Sequence, residues 1–151
     1  MKKMFLALLM CLFAVNFALA SPDNKTIIAE TQLDNSPTSV TSSTFNIQDY
    51  HEAGFWVKYD ETEVGGGLSV AVTLDVSYDD TTWLDMSFYD LAGGTTLQTS
   101  ETISSDGWYY CSLPSLYFQP GSILYIRMVI IATGSDVDDI ALVTAYMIGT
   151  K

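Results

Sequence analysis

Leu68-Ser69-Val70-Ala71-Val72-Thr73-Leu74-Asp75-Val76-Ser77-Tyr78 decides the fold class. Leu68, Val70, Val72, Leu74, Val76 and Tyr78 fall on one face of an extended chain. Ser69, Ala71, Thr73, Asp75 and Ser77 fall on the other. Successive side chains of a strand point to opposite faces, so this is a strand with one face buried and one face wet. Phe55, Val57 and Tyr59 alternate in the same way with Trp56, Lys58 and Asp60. Leu84, Met86 and Phe88 alternate with Trp83, Asp85, Ser87 and Tyr89.

Working outward, further strands are predicted at about 26–33, 44–47, 97–103, 108–113, 122–131 and 140–148. Turn formers separate them: Val64-Gly65-Gly66-Gly67, Asp79-Asp80-Thr81-Thr82, Ala92-Gly93-Gly94, Ser105-Asp106-Gly107, Gln119-Pro120-Gly121 and Thr133-Gly134-Ser135. About eight or nine short strands at this spacing predict an all-β, antiparallel β-sandwich with jelly-roll or Greek-key wiring. Residues 44–151 are assigned to the sandwich. Residues 21–43, rich in Ser, Thr, Asn and Pro, read as an N-terminal arm with one peripheral strand around Ile27-Ile28-Ala29. Such an arm packs on its own sheet or on a neighbour's exposed edge.

Residues 1–20 read as a cleaved secretory signal peptide. Lys2 and Lys3 precede an apolar run from Met4 to Leu19, and Ala18-Leu19-Ala20 is a small-x-small cleavage pattern. The expectation is a secreted, extracellular or cell-surface protein, with the periplasm as an alternative. No membrane insertion is expected after cleavage. Losing Lys2 and Lys3 takes the net charge from −12 to −14. Nucleic acid is not an expected partner, because phosphate binding needs basic patches. Cys111 would remain as a lone cysteine, buried as a small hydrophobe or bridging two chains.

The catalytic inventory is thin. His51 is the one histidine, and no nucleophile elbow, zinc-binding helix motif or phosphate loop occurs. A non-catalytic protein is expected. Glycoside hydrolysis by two of the 18 carboxylates is the catalytic alternative. Asp136, Asp138 and Asp139 form the densest acidic cluster, and calcium takes several oxygens from one loop. Solvated turn residues are the other reading, since Asp favours turns. Trp56, Trp83 and Tyr89 fall on the polar phase of their strands, as a sugar-stacking surface would. The last two strands are apolar on both phases. Tyr125, Val129, Ile131, Val143 and Met147 are the candidates for self-association there.

Val76-Ser77-Tyr78-Asp79-Asp80-Thr81-Thr82-Trp83-Leu84-Asp85-Met86, with Phe55-Trp56-Val57-Lys58-Tyr59 before it, resembles a hairpin of small β-sandwich domains. These are of the phage-virion, discoidin-like and carbohydrate-binding type. The resemblance implies a binding or structural role. The usual Asp-Gly turn is Asp79-Asp80 here, and the signal peptide argues against a virion protein. The sequence therefore predicts an exported, self-associating structural, surface or filament subunit, forming a homo-oligomer or polymer. A calcium-assisted glycan-binding or adhesion module is the alternative.

Overall fold

The structure is a computed structural model that describes residues 22–34, 38–62, 67–92, 94–119, 125–134 and 139–151. In chain order its strands are β1 (Pro22–Asp34), β2 (Ser39–Thr41), β3 (Phe45–Asn46), β4 (Glu52–Glu61), β5 (Ser69–Ser77), β6 (Leu84–Met86), β7 (Phe88–Tyr89), β8 (Leu97–Gln98), β9 (Ser100–Ile103), β10 (Gly107–Ser112), β11 (Tyr125–Thr133) and β12 (Ile140–Thr150). One 3-10 turn, Ser115–Phe118, follows β10.

Two antiparallel sheets face each other. Sheet A has the order β1-β12-β4-β10. Sheet B is built on β11 and β5. β2 and β3 pair successive stretches of β11 on one side, and β6 and β9 pair successive stretches of β5 on the other. Each pair is one interrupted strand, so the segments fill eight positions. The chain enters sheet A at β1 and crosses to B, back to A at β4 and again to B at β5. It turns within sheet B to β6 and β9, then crosses three more times through β10, β11 and β12. That is jelly-roll wiring, the first of the two topologies the sequence allowed. Residues 87–99 are an excursion between β6 and β9, held as a small β7-β8 ladder.

Alternation builds the core. Phe55, Val57 and Tyr59 of β4 meet Val70, Val72 and Leu74 of β5 in one buried cluster. Ile126, Met128 and Ile130 of β11 and Ala141, Val143, Ala145 and Met147 of β12 complete it. Tyr59 is fully buried, yet its hydroxyl donates to the Leu68 carbonyl at 2.8 Å, so the polar tip is satisfied. Burial pushes its phenol up to about 12. Where β2 ends, the Ser42 hydroxyl accepts from the Met128 amide at 2.9 Å, and the Ser42 amide donates to the Met128 carbonyl at 2.9 Å. A serine thus carries the ladder across the break.

The hairpin between β5 and β6 is set by Asp79. Its carboxylate accepts from the Thr81 and Thr82 amides at 2.9 and 2.8 Å and from the Ser77 hydroxyl at 3.0 Å. Asp80 takes φ 60°, the left-handed conformation that the common Asp-Gly turn gives to glycine and that Asp tolerates better than most residues. The turn departs in sequence but keeps a left-handed residue at this position.

Three expectations are corrected. The sandwich does not begin at residue 44, because the segment read as an arm packs on its own sheets, one of its two readings. From Pro22 onward it supplies β1 and β2, and Ile27, Ile28 and Leu33 are buried in the shared core. Register shifts on either side of Ile28 let two adjacent isoleucines both turn inward, which a regular strand forbids. Val143 and Met147 are 0% and 1% exposed, so they belong to the core and to no surface of the folded chain. Tyr78 lies past the end of β5 and is exposed. The signal peptide lies outside the described residues.

Candidate functional site

The outward phase of sheet A collects the exposed rings. The register sets Tyr110 of β10 opposite Trp56 of β4, and Trp56 opposite Tyr146 of β12. Three aromatic residues therefore stand in one row across three strands. Trp56 packs on Tyr110 with ring centroids 4.9 Å apart and meets the edge of Trp108 at 6.4 Å. Trp108 belongs to β10 yet reaches the Tyr146 ring at 5.9 Å. Strands separated by one neighbour lie about 10 Å apart, so the indole must lean across β4 to do so. Trp108 remains 55% exposed. Asn24, Trp56, Trp108, Tyr146 and Ile148 bound a shallow groove of about 230 Å³.

Gly54 makes this arrangement fit. A Cβ there would collide with the ring and hydroxyl of Tyr110. The bare backbone lets the tyrosine lie flat across β4. Burial raises the Tyr110 phenol, with Cys111 and Glu52 adding to the shift. Directly inward, Cys111 is 1% exposed, and burial pushes its thiol up to about 12. A thiol so protonated is a poor nucleophile. His51 lies at the end of the sandwich, where it lines a cavity.

The sequence-predicted residues scatter. Trp56 is on the outer face of sheet A. Trp83 precedes β6 on sheet B, half-buried under Arg127, whose guanidinium sits 4.2 Å above the ring centroid. The two tryptophans lie on opposite sheets and form no common platform. That corrects the reading that paired them, since phase along a strand does not say which sheet the strand joins. Tyr89 is on β7 and lines a cavity at one end of the molecule. Tyr125 and Val129 are half-buried on the outer face of sheet B, and Ile131 is 37% exposed there. Asp139 is 3% exposed, and Asp136 and Asp138 lie outside the described residues. Among the described residues, no group of three His, Cys, Asp or Glu side chains is placed to hold a metal.

No protein-family model matches this chain, and a search of curated proteins found no match. Solved structures do match it in shape. The prophage-derived protein YomS of SPBc2 superposes with a TM-score of 0.58 at 10% identity, over 87% of this chain and 95% of that one. The VP2 subviral particle of infectious bursal disease virus gives 0.53 at 14% identity, over 87% of this chain. The Gt strain of the same virus gives 0.51 at 17% identity, over 85%. In both viral cases the match spans 32% of the viral chain. The shared property is the fold. A β-sandwich likeness, read from the hairpin at Phe55–Met86, is met here in phage and virus structures. At these identities the likeness carries no site residue across.

Trp108, Tyr110 and Tyr146 were not singled out as binding residues by sequence. Trp108 and Tyr110 do share a phase, which was legible. Their convergence with Tyr146 needed the β10-β4-β12 order, which joins segments far apart in the chain.

Proposed function

We propose that this chain is an exported, non-catalytic structural subunit that associates with copies of itself through the outer face of sheet A. One observation carries the reading. Four aromatic rings gather on that face beside Ile140, Leu142 and Ile148, with Trp108 more than half exposed. Apolar surface of this kind in water favours association.

Charge points the same way. The chain carries −12 overall, so two copies repel wherever their carboxylates face each other. On β4, β10 and β12 the outward charged side chains are Glu52 at the end of β4 and, nearer the rings, Lys58 and Asp60, which pair with each other at 3.4 Å. This is the face two copies can bring together with little repulsion. A jelly roll supplies a rigid frame for such a face, and the VP2 chain that shares this fold belongs to a subviral particle.

The test is the solution mass of residues 21–151 by light scattering after size exclusion. A mass above one chain is expected, rising with salt as the repulsion is screened. Trp108→Glu is expected to lower it while circular dichroism stays native. A monomeric wild-type chain, or a folded Trp108→Glu variant with unchanged mass, refutes the reading.

A further inference from the structure

A second feature lies at the end of the sandwich where β4 begins and β10 and β12 end. Here the chain forms a half-open cavity of about 470 Å³. Pockets for small ligands usually measure about 300 to 1,000 Å³. Its apolar wall comes from Tyr89, Tyr110 and Phe118. Its polar rim comes from Ser112, Ser115 and Thr150, with the carboxylate of Glu52 and the imidazole of His51. Among the described residues, no lysine or arginine lines it.

The cavity is held open by the frame. The His51 amide donates to the Thr150 carbonyl at 2.8 Å, and the Leu113 amide donates to the Ala53 carbonyl at 3.0 Å. These bonds prolong the β4-β12 and β4-β10 ladders to the rim. The Thr150 hydroxyl donates to Glu52 Oε1 at 3.3 Å and orients the carboxylate. On the far side, the Tyr110 amide donates to the Leu91 carbonyl at 3.1 Å, tying β10 to the excursion that carries Tyr89.

The lining selects a chemistry. An acidic protein with Glu52 in the site and no lining cation repels anions. A quaternary cation is held by ring faces and carboxylates and leaves the donor protons of the rim hydroxyls without a partner. Here three aliphatic hydroxyls, two phenols and an imidazole can both donate and accept. A pyranose presents the complementary surface: a C–H face for the rings and hydroxyls around its edge. We propose that this cavity binds a neutral sugar, with Tyr89 and Tyr110 against its ring and Glu52, Ser112 and Thr150 bonded to its hydroxyls.

The experiment is isothermal titration of residues 21–151 with methyl glycosides of glucose, galactose, mannose and N-acetylglucosamine, with choline as the cationic comparison. At least one glycoside is expected to bind with a dissociation constant at or below about 10 mM. Tyr89→Ala and Ser112→Ala are each expected to weaken it about tenfold, and Glu52→Gln to a similar degree. Ser112→Ala changes little volume, so it keeps the test alive if Tyr89→Ala fails to fold. No glycoside binding, binding of choline alone, or glycoside binding that both variants leave unchanged overturns the proposal. The same titration on Trp108→Glu separates this site from the association face. Sugar binding there without oligomers, or oligomers without sugar binding in the wild type, tells the two readings apart.

Discussion

The two outer faces of the sandwich answer the same problem differently. Each sheet must show water one side of strands that are rich in apolar residues. On sheet B the centre of that side is polar and self-contained. Arg127 Nε donates to Asp75 Oδ2 at 2.9 Å, and the guanidinium covers the Trp83 ring at 4.2 Å. Thr73 and Ser69 donate to carbonyls of β11 at 3.4 and 3.3 Å. On sheet A the centre holds rings packed on rings. Trp83 spends its π-face on a cation of its own sheet, whereas Trp108 keeps its surface in water. An outward tryptophan therefore means little until the residue across the ladder is known.

Breaking the contrast within one strand should give the largest effect. Val143 and Tyr146 share β12 but face opposite ways. Val143→Asp buries an unpaired charge and should cost at least about 3 kcal/mol, read by urea unfolding. Tyr146→Asp should cost under about 1 kcal/mol and lower the solution mass instead. Equal destabilisation by both would show that the outer phase is structural rather than adhesive.

On sheet B, Arg127→Ala should cost about 1 to 2 kcal/mol. It leaves Asp75, whose side chain is 13% exposed, without its cation. The solution mass should not change. A loss of association here, with sheet A intact, would reverse the assignment of the two faces.

The smallest effect sharpens the hairpin of sheet B. The Thr82 and Thr81 amides hold the Asp79 carboxyl well below its ordinary value. A group whose pKa is depressed on folding stabilises above its unfolded value near 3.9 and loses that contribution as pH falls through the folded one. Asp79→Asn should therefore lower the thermal midpoint slightly at pH 7, and the gap to wild type should shrink below about pH 4. A gap independent of pH would mean that the charge contributes nothing.

Much of the frame was legible because alternation is a local signal. Leu68, Val70, Val72, Leu74 and Val76, and Phe55, Val57 and Tyr59, are buried as their period demands. The site was legible only in fragments. Trp56 was correctly read as outward, but its assigned companion Trp83 lies on the other sheet. Val143 and Met147 were read as surface because β12 is apolar on both phases, and a period of two cannot say which apolar phase is inside. Asn24-Lys25-Thr26 opens a segment too polar to read as core, yet β1 supplies Ile27, Ile28 and Leu33 through a bulge.

By itself the sequence determined the fold class, most of the strand positions and the acidic charge. These follow from residue types and their spacing along the chain. Tertiary structure alone decided that β10, β4 and β12 lie side by side. That order brings Trp108, Tyr110, Trp56 and Tyr146 together and forms the cavity between β10 and the end of β12. The reason is physical. Strand pairing is settled by backbone hydrogen bonds and core packing between segments far apart in the chain, such as Trp56 and Tyr146, and those bonds leave no periodic mark on the sequence that makes them.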